Sequence, residues 1–386
     1  MENVMREAKE KFAGVVESQL KRIEEMKAQG DFLDFGELNP VIIGVCGGDG
    51  IGPIISAEAQ RMLEFLLEDE IKRGRVVVRT IEGLTLENRL AAKTGIPEDV
   101  LEELKKCHVI LKGPTTTPQK GDGMLNIESA NVKMRKELDL FANIRPVKVP
   151  EKGINWTIFR ENTEGAYAVG NEGFQIGDSL SVDFTITTRE GTDRIARIAY
   201  DFARKNGFNR VSLVTKANVV KTTDGAFLEG CHKVAAEYPE ITTDEWYADI
   251  MTAKLIDEKR RRDFQVMVLP NLYGDIISDE AAEFQGGVGT AGAANVGKRY
   301  AMFEAIHGSA PRMLAEKREA YADPCSMLRA VAMLLSHIGR QDKADKLTRA
   351  MDICMFEEKK IAITGRPNGA SCREYGDYVM ETIKKL

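Results

Sequence analysis

Apolar residues recur at helical spacing through residues 2 to 28. Phe12, Val15, Val16, Leu20, Ile23 and Met26 are separated by Lys, Arg and Glu, which predicts an amphipathic helix ahead of the main body. Gly30 to Pro40 reads as a linker, and the pattern then changes period. Val41 to Cys46 is a continuous apolar run of strand length that enters the glycine-rich turn GGDGIGP at 47 to 53. Similar runs, VSLVTK at 211 to 216 and VMVLPN at 266 to 271, stand between helical stretches. Such alternation predicts an α/β protein whose strands are mostly buried. Gly173 to Thr188 reads instead as short strands around a turn, an arm suited to an interface. The chain shows no internal repeat and no low-complexity tract.

Length and composition narrow the classes. At 386 residues the chain is long enough for two ordinary domains. Fifty-four basic against 60 acidic residues, a formal charge of −6, give no broad basic field for a polyanion, so nucleic acid is not expected as a partner. No run approaches the roughly 20 apolar residues of a membrane span, and none is expected. The six cysteines form no CxxC pair, which suits reduced thiols. The acidic residues of the first helix are unlike a transit peptide, and the expected location is the cytoplasm.

Three groups of residues carry candidate chemistry. In NLYGDIISDEAAEF, Asp275 and Asp279 lie four apart in a helical pattern, so both carboxylates face one way and suit Mg²⁺ or Mn²⁺. The same pair equally fits a helix start, with Asp275 as a cap and Asp279 near the positive dipole end. Asp249 joins them only if the fold or a second subunit brings it near. Ser129, Asn131 and Arg135 form a second group, the last two one helical turn apart. Arg145 and Arg160 follow at expected strand ends. Three arginines beside hydroxyl and amide donors would hold a multiply charged carboxylate, although solvated surface arginines are the ordinary alternative. Tyr167 in FRENTEGAY and Lys216 at a strand end are candidate acid and base. GVGTAG at 287 to 292 satisfies a dinucleotide spacing but follows a helix, whereas that fingerprint requires strand, turn, helix. His307, in a loop of small residues, is the better nucleotide candidate, while His108, His232 and His337 read as structural.

In order along the chain, GDGIGP, KGPTTTP, S-x-N-xxx-R, ANIRP, FRENTEGAY, TKANVVK, NLYGDIISDEAA and HGSAP closely resemble the isocitrate and isopropylmalate dehydrogenase family from about residue 41 to 386. The resemblance implies a two-domain fold with a large mixed sheet, unlike an ordinary Rossmann fold. Residues 1–40 would be an N-terminal extension, 41–140 plus 287–386 the large cofactor domain, and 141–286 the small domain with its arm at about 173–190. The active site would lie in the cleft between the domains.

By the same resemblance, Arg135, Arg145 and Arg160 hold substrate carboxylates. Asp275, Asp279 and a neighbouring subunit's Asp249 hold Mg²⁺ or Mn²⁺, and Lys216 and Asn218 also come from that neighbour. This implies a homodimer or higher homo-oligomer with shared sites. Ser129 and Asn131 favour isocitrate over isopropylmalate, as does TTDGAFLEG at 222 to 230. The implied reaction is metal-dependent oxidation and decarboxylation of isocitrate, a tricarboxylate, to 2-oxoglutarate, with Lys216 accepting a proton and Tyr167 delivering one. Lys112, Thr116 and Thr117 resemble residues near nicotinamide and substrate; His307, Gly308, Ser309, Ala310, Arg312 and Asp323 resemble the adenosine side. Arg312 stands where a cation pairs with a 2′-phosphate, favouring NADP⁺ over NAD⁺, whereas Met313 and Asp323 depart from the NADP pattern. Ile54 replaces the usual glutamate after GDGIGP. Homoisocitrate, isopropylmalate or tartrate are rival substrates. A non-catalytic regulatory subunit is the rival of a different class, and an interaction role built on the first helix is a third reading.

Overall fold

The computed structural model describes residues 2–119, 121–169 and 173–386. In chain order its strands are β1 Val41–Cys46, β2 Val76–Thr80, β3 Val109–Lys112, β4 Ala142–Val149, β5 Ile154–Glu161, β6 Phe174–Ile176 and β7 Leu180–Val182. They continue with β8 Arg210–Thr215, β9 Thr242–Tyr247, β10 Val266–Leu269, β11 Gly292–Val296 and β12 Ala301–Ala305. The chain divides into two compact units, one of Met1–Asp31 with Phe141–Ala281 and one of Phe32–Leu140 with Ala282–Leu386.

In the unit of Phe32–Leu140 and Ala282–Leu386 the strand order is β2-β1-β3-β12-β11. The first three pairings are parallel and β12 meets β11 antiparallel. β1 is flanked on both sides, with Ile43 opposite Val78 and Val109, which is why its sequence is continuously apolar rather than alternating. A cluster of Ile96, Leu101, Leu104, Ile110, Met134 and Leu140 packs here, and the helix Cys325–His337 buries Met327, Leu328, Val331, Leu334 and Leu335. GVGTAG lies between the helix Asn271–Glu283 and strand β11, the reverse of a dinucleotide-binding turn.

The other unit has the order β4-β5-β10-β8-β9, with β4 and β5 antiparallel and the remaining pairings parallel. β6 and β7 form a separate antiparallel pair, as the pattern around Gly173 to Thr188 predicts. The expected first helix spans Glu2–Ala28 and belongs to this unit. It buries Val15 and Met26, and Phe12 meets Phe184 at 5.8 Å between ring centroids. Val16 and Leu20 remain exposed. All six cysteines are buried and free. Among the described residues no helix is long and apolar enough to cross a membrane.

Candidate active site

The chain leaves β10 at Leu269, turns at Pro270 and enters the helix Asn271–Glu283. Because Arg160 on β5 lies opposite Leu269 on β10, that helix starts beside the Arg160 side chain. Asn271 accepts from Arg160 Nε at 3.0 Å and Nη2 at 2.7 Å through Oδ1, while Arg160 Nη1 donates to Asp275. Arg145 Nη1 donates to Asp279 Oδ1 at 2.6 Å and to Ser278 Oγ at 2.7 Å, and its Nη2 stands 3.6 Å from Asp275 Oδ1. Asn143 orients Arg145 by accepting from Nε at 2.8 Å. Tyr167 Oη donates to Asp275 Oδ2 at 3.2 Å, and its ring centroid lies 5.7 Å from the Arg160 guanidinium carbon.

Burial orders this cluster. The Arg160 and Arg145 side chains are 1% and 7% exposed, whereas those of Asp275 and Asp279 are 36% and 55% exposed. The cations are thus rooted in the sheet and the anions stand at the solvent side. One helical turn separates the two aspartates, as their spacing predicts. The helix-start alternative fails for Asp275, because four residues of the helix precede it. Arg145 corrects another expectation: it lies inside β4 rather than at its end, while Arg160 does sit one residue from the end of β5.

A second cluster in the same unit follows β8. Lys216 Nζ donates to Asp249 Oδ1 at 2.5 Å, and its backbone N–H donates to Asp224 Oδ2 at 2.6 Å. Hydrogen bonding to Lys216 holds the exposed Asp249 carboxyl below its ordinary range. Burial pushes the Asp224 carboxyl up, against the lowering effect of the Lys216 N–H. Asn218 is exposed. Among the described residues no three acidic, His or Cys side chains gather into a metal-holding group, so Asp249 does not join Asp275 and Asp279 within one chain.

The other unit holds the four remaining motifs. Asp49, in the glycine-rich turn, accepts from Leu86 N at 2.7 Å, Arg89 Nη2 at 2.8 Å and Thr116 N at 2.7 Å. Thr116 Oγ1 lies 2.7 Å from Ser309 Oγ. The flanking glycines permit this closeness: a Cβ on Gly48 would meet Pro114 O at 2.2 Å and one on Gly50 would meet Ser309 O at 2.0 Å, and both have positive φ. Thr117 and Gly308 are exposed. His307 Nδ1 is 2.9 Å from the Gly308 carbonyl, and Ala310 adopts φ 48° where the short helix Pro311–Ala315 begins. Exposed Arg312 pairs with Glu316 at 2.6 Å, and Asp323 Oδ1 accepts from Cys325 N at 2.8 Å.

Ser129 precedes the helix Ala130–Glu137 without capping it, and Asn131 Oδ1 accepts from Thr115 Oγ1 at 3.2 Å. Lys112 and Arg135 are both buried and share Glu304, at 3.1 Å and 3.2 Å. Lys112 also donates to the Gly113 carbonyl at 2.8 Å, so its ammonium is held inside the unit. Burial alone would raise the Glu304 carboxyl; Lys112 and Arg135 outweigh it and bring it down to about 2. Sequence reading passed over Glu304, Asn271 and Asp49. The lone carboxylate in the apolar strand AMFEA was a usable signal, since a charge there demands a partner.

The chain is an α/β protein in which sheet-rooted arginines face a pair of aspartates on one helix. It belongs to the isocitrate/isopropylmalate dehydrogenase family, whose model matches residues 42–379. The chain is 40% identical over 324 residues to the NADP isocitrate dehydrogenase of Rickettsia bellii, covering 81% of this chain and 62% of that protein. It thus spans less than two thirds of that relative's length. It is 34% identical over 357 residues to the homoisocitrate dehydrogenase of Methanocaldococcus jannaschii, covering 88% of this chain and 97% of that one. The crystal structure of isocitrate dehydrogenase from Methylococcus capsulatus matches with TM-score 0.77 and 32% identity, covering 89% and 99% of the two chains.

Proposed function

We propose that the protein oxidises and decarboxylates isocitrate to 2-oxoglutarate with NADP⁺ or NAD⁺ and a divalent cation. The observation that carries this reading is the shared pairing of Arg145 and Arg160 with Asp275 and Asp279 beside the Tyr167 hydroxyl. Exposed carboxylate oxygens one helical turn apart are a hard donor set that fits Mg²⁺ or Mn²⁺. Among the described residues no third carboxylate joins this pair within one chain, and Asp249 of a second copy would complete the set in a dimer or larger assembly. Bound there, the cation would supply Lewis acidity toward the substrate's 2-hydroxyl and the ketone that follows.

The chain's own residues account for the rest. Arg145 and Arg160 bind and orient the substrate carboxylates through charge-assisted hydrogen bonds. Lys216, hydrogen-bonded to Asp249 and supplied with it by the second copy, takes the hydroxyl proton as hydride leaves C2 for the nicotinamide. Tyr167 Oη delivers a proton to the carbon from which CO₂ departs. By the family resemblance Ser129, Asn131 and Arg135 are further candidates for binding the acid. Thr116, Ser309 and the 307–312 loop serve the nucleotide, with Arg312 favouring a 2′-phosphate. The presence of Asp249, Asp275, Asp279, Lys216 and Tyr167 argues against a non-catalytic regulatory subunit.

Homoisocitrate is the second reading, favoured by the near full-length match to the archaeal homoisocitrate enzyme. Steady-state reduction of NAD⁺ and NADP⁺ with isocitrate, homoisocitrate, isopropylmalate and tartrate, with and without Mg²⁺ or Mn²⁺, tests both. Cation-dependent turnover highest on isocitrate is expected. Turnover highest on homoisocitrate selects the second reading, and none on any acid refutes both.

A further inference from the structure

The first helix lies outside the residues matched to the family, yet one of its arginines, partly buried, reaches a buried carboxylate of the unit that holds Arg160 and Tyr167. Arg22 Nη1 donates to Glu164 Oε1 at 2.9 Å, and its Nη2 donates to Thr163 Oγ1 at 2.9 Å. Glu164 is buried and also accepts from Thr188 N at 2.8 Å. These partners belong to the segment 161–166 that joins Arg160 at the end of β5 to Tyr167.

The connection continues through the backbone. The Glu164 carbonyl accepts from Asn271 Nδ2 at 2.9 Å, and the Oδ1 of that same amide fixes the Arg160 guanidinium. Arg22, Glu164, Asn271 and Arg160 therefore form one contiguous polar chain. The charges near the segment are balanced: Glu161 and Glu164 are both buried, and Arg22 and Arg194 face them, with Arg194 Nη2 donating to Thr163 Oγ1 at 2.9 Å. Glu161 accepts from the backbone N–H groups of Thr163 and Glu164. Burial and the neighbouring Glu164 already push the Glu161 carboxyl up to about 7. Without Arg22, two buried carboxylates would face one guanidinium, and like charges at this depth repel strongly.

We propose that Arg22 is a positioning residue for the substrate site: the first helix, through the Arg22 pairing with Glu164, holds the 161–166 segment and Asn271 so that Arg160 keeps its working geometry. The role in substrate binding rests on the dehydrogenase reading above; the mechanical role does not. Arg22 touches no reacting group, and its effect passes through Asn271 and the segment backbone. The exposed Lys9 on the same helix, with no part in this chain of contacts, is a fitting control.

The test uses the full-length protein carrying Arg22→Ala, Arg22→Lys or Lys9→Ala. Arg22→Ala is expected to raise KM for the hydroxy acid about tenfold while kcat changes less than about twofold, the split expected when binding alone is lost. Arg22→Lys should recover part of the loss, and Lys9→Ala should leave KM unchanged. Amide hydrogen exchange of residues 162–167 supplies a readout without substrate, and it should accelerate at least about tenfold in Arg22→Ala, with the strands β8 and β10 unchanged as the check on folding. Unchanged exchange of the segment in a folded Arg22→Ala protein overturns the proposal. So does unchanged KM in an active one. Faster exchange in a protein that turns over no hydroxy acid, wild type included, upholds the mechanical coupling and refutes the dehydrogenase reading instead.

Discussion

Gly274 lies against the stem of Arg160: a Cβ added at Gly274 would stand 2.6 Å from Arg160 Cγ and 2.7 Å from its Cβ. The clash falls on the root of the side chain, which cannot swing clear as a flexible tip would. A helical glycine is ordinarily a weakness of about 1 kcal/mol relative to alanine, so its presence beside Asp275 reflects the need for space. Gly274→Ala should therefore change stability little, because better helix propensity offsets strain, while KM for the acid rises at least about tenfold as Arg160 is displaced. Steady-state kinetics paired with thermal unfolding checks both halves.

Glu304 is the single carboxylate between buried Lys112 and Arg135. Its replacement by Gln leaves two cations inside without their anion and should cost about 3–5 kcal/mol of stability. The pH dependence follows from the sign of the shift. The folded carboxyl lies at about 2, below its ordinary 4.5, so its contribution is fully present above about 4.5 and is lost as pH falls through about 2. Urea unfolding at neutral pH and at intervals below pH 4.5 should show a steeper acid loss in the wild type than in Glu304→Gln.

Tyr167→Phe keeps the ring beside the Arg160 guanidinium and removes the hydroxyl that reaches Asp275. On the proposed role, kcat should fall about a hundredfold or more with KM little changed, the magnitude expected for losing a positioned proton donor. Loss confined to KM would instead make the hydroxyl a binding group.

A shared site can be tested by mixing two dead variants. Asp249→Asn and Asp275→Asn should each lose cation-dependent turnover. If each site draws Asp249 from one subunit and Asp275 from another, random two-fold reassembly of equal amounts should restore roughly a quarter of wild-type activity. No recovery after verified subunit exchange would place both aspartates in the same chain's site.

Local pattern made much of this legible. The spacing of Asp275 and Asp279 announced one helix face, continuous apolar runs announced buried strands, and GVGTAG stands after a helix and before a strand, as its place in the sequence suggested. Other features depend on pairing register, which no short stretch encodes. Arg145 falls inside β4 because that strand extends to Val149 against β5. Asn271 reads as an ordinary helix start until β5 and β10 bring Arg160 beside it. Arg22 sits among the charges of an amphipathic helix and looks solvated; only the burial of Glu164 gives it a different meaning.

The resting pairing of Arg145 and Arg160 with Asp275 and Asp279 means that this pocket is a salt of itself. On the proposed reading, an incoming polyanion that takes over the guanidinium groups would release two carboxylates at the same moment, and those carboxylates would offer the coordination a dication seeks. Neither visitor fills an empty place; each takes a partner from the existing couple and leaves the other available. On the proposed reading, acid and cation should raise one another's affinity by the same factor. The enzyme would then be selective for the pair, ignoring a carboxylate that arrives without its counter-charge.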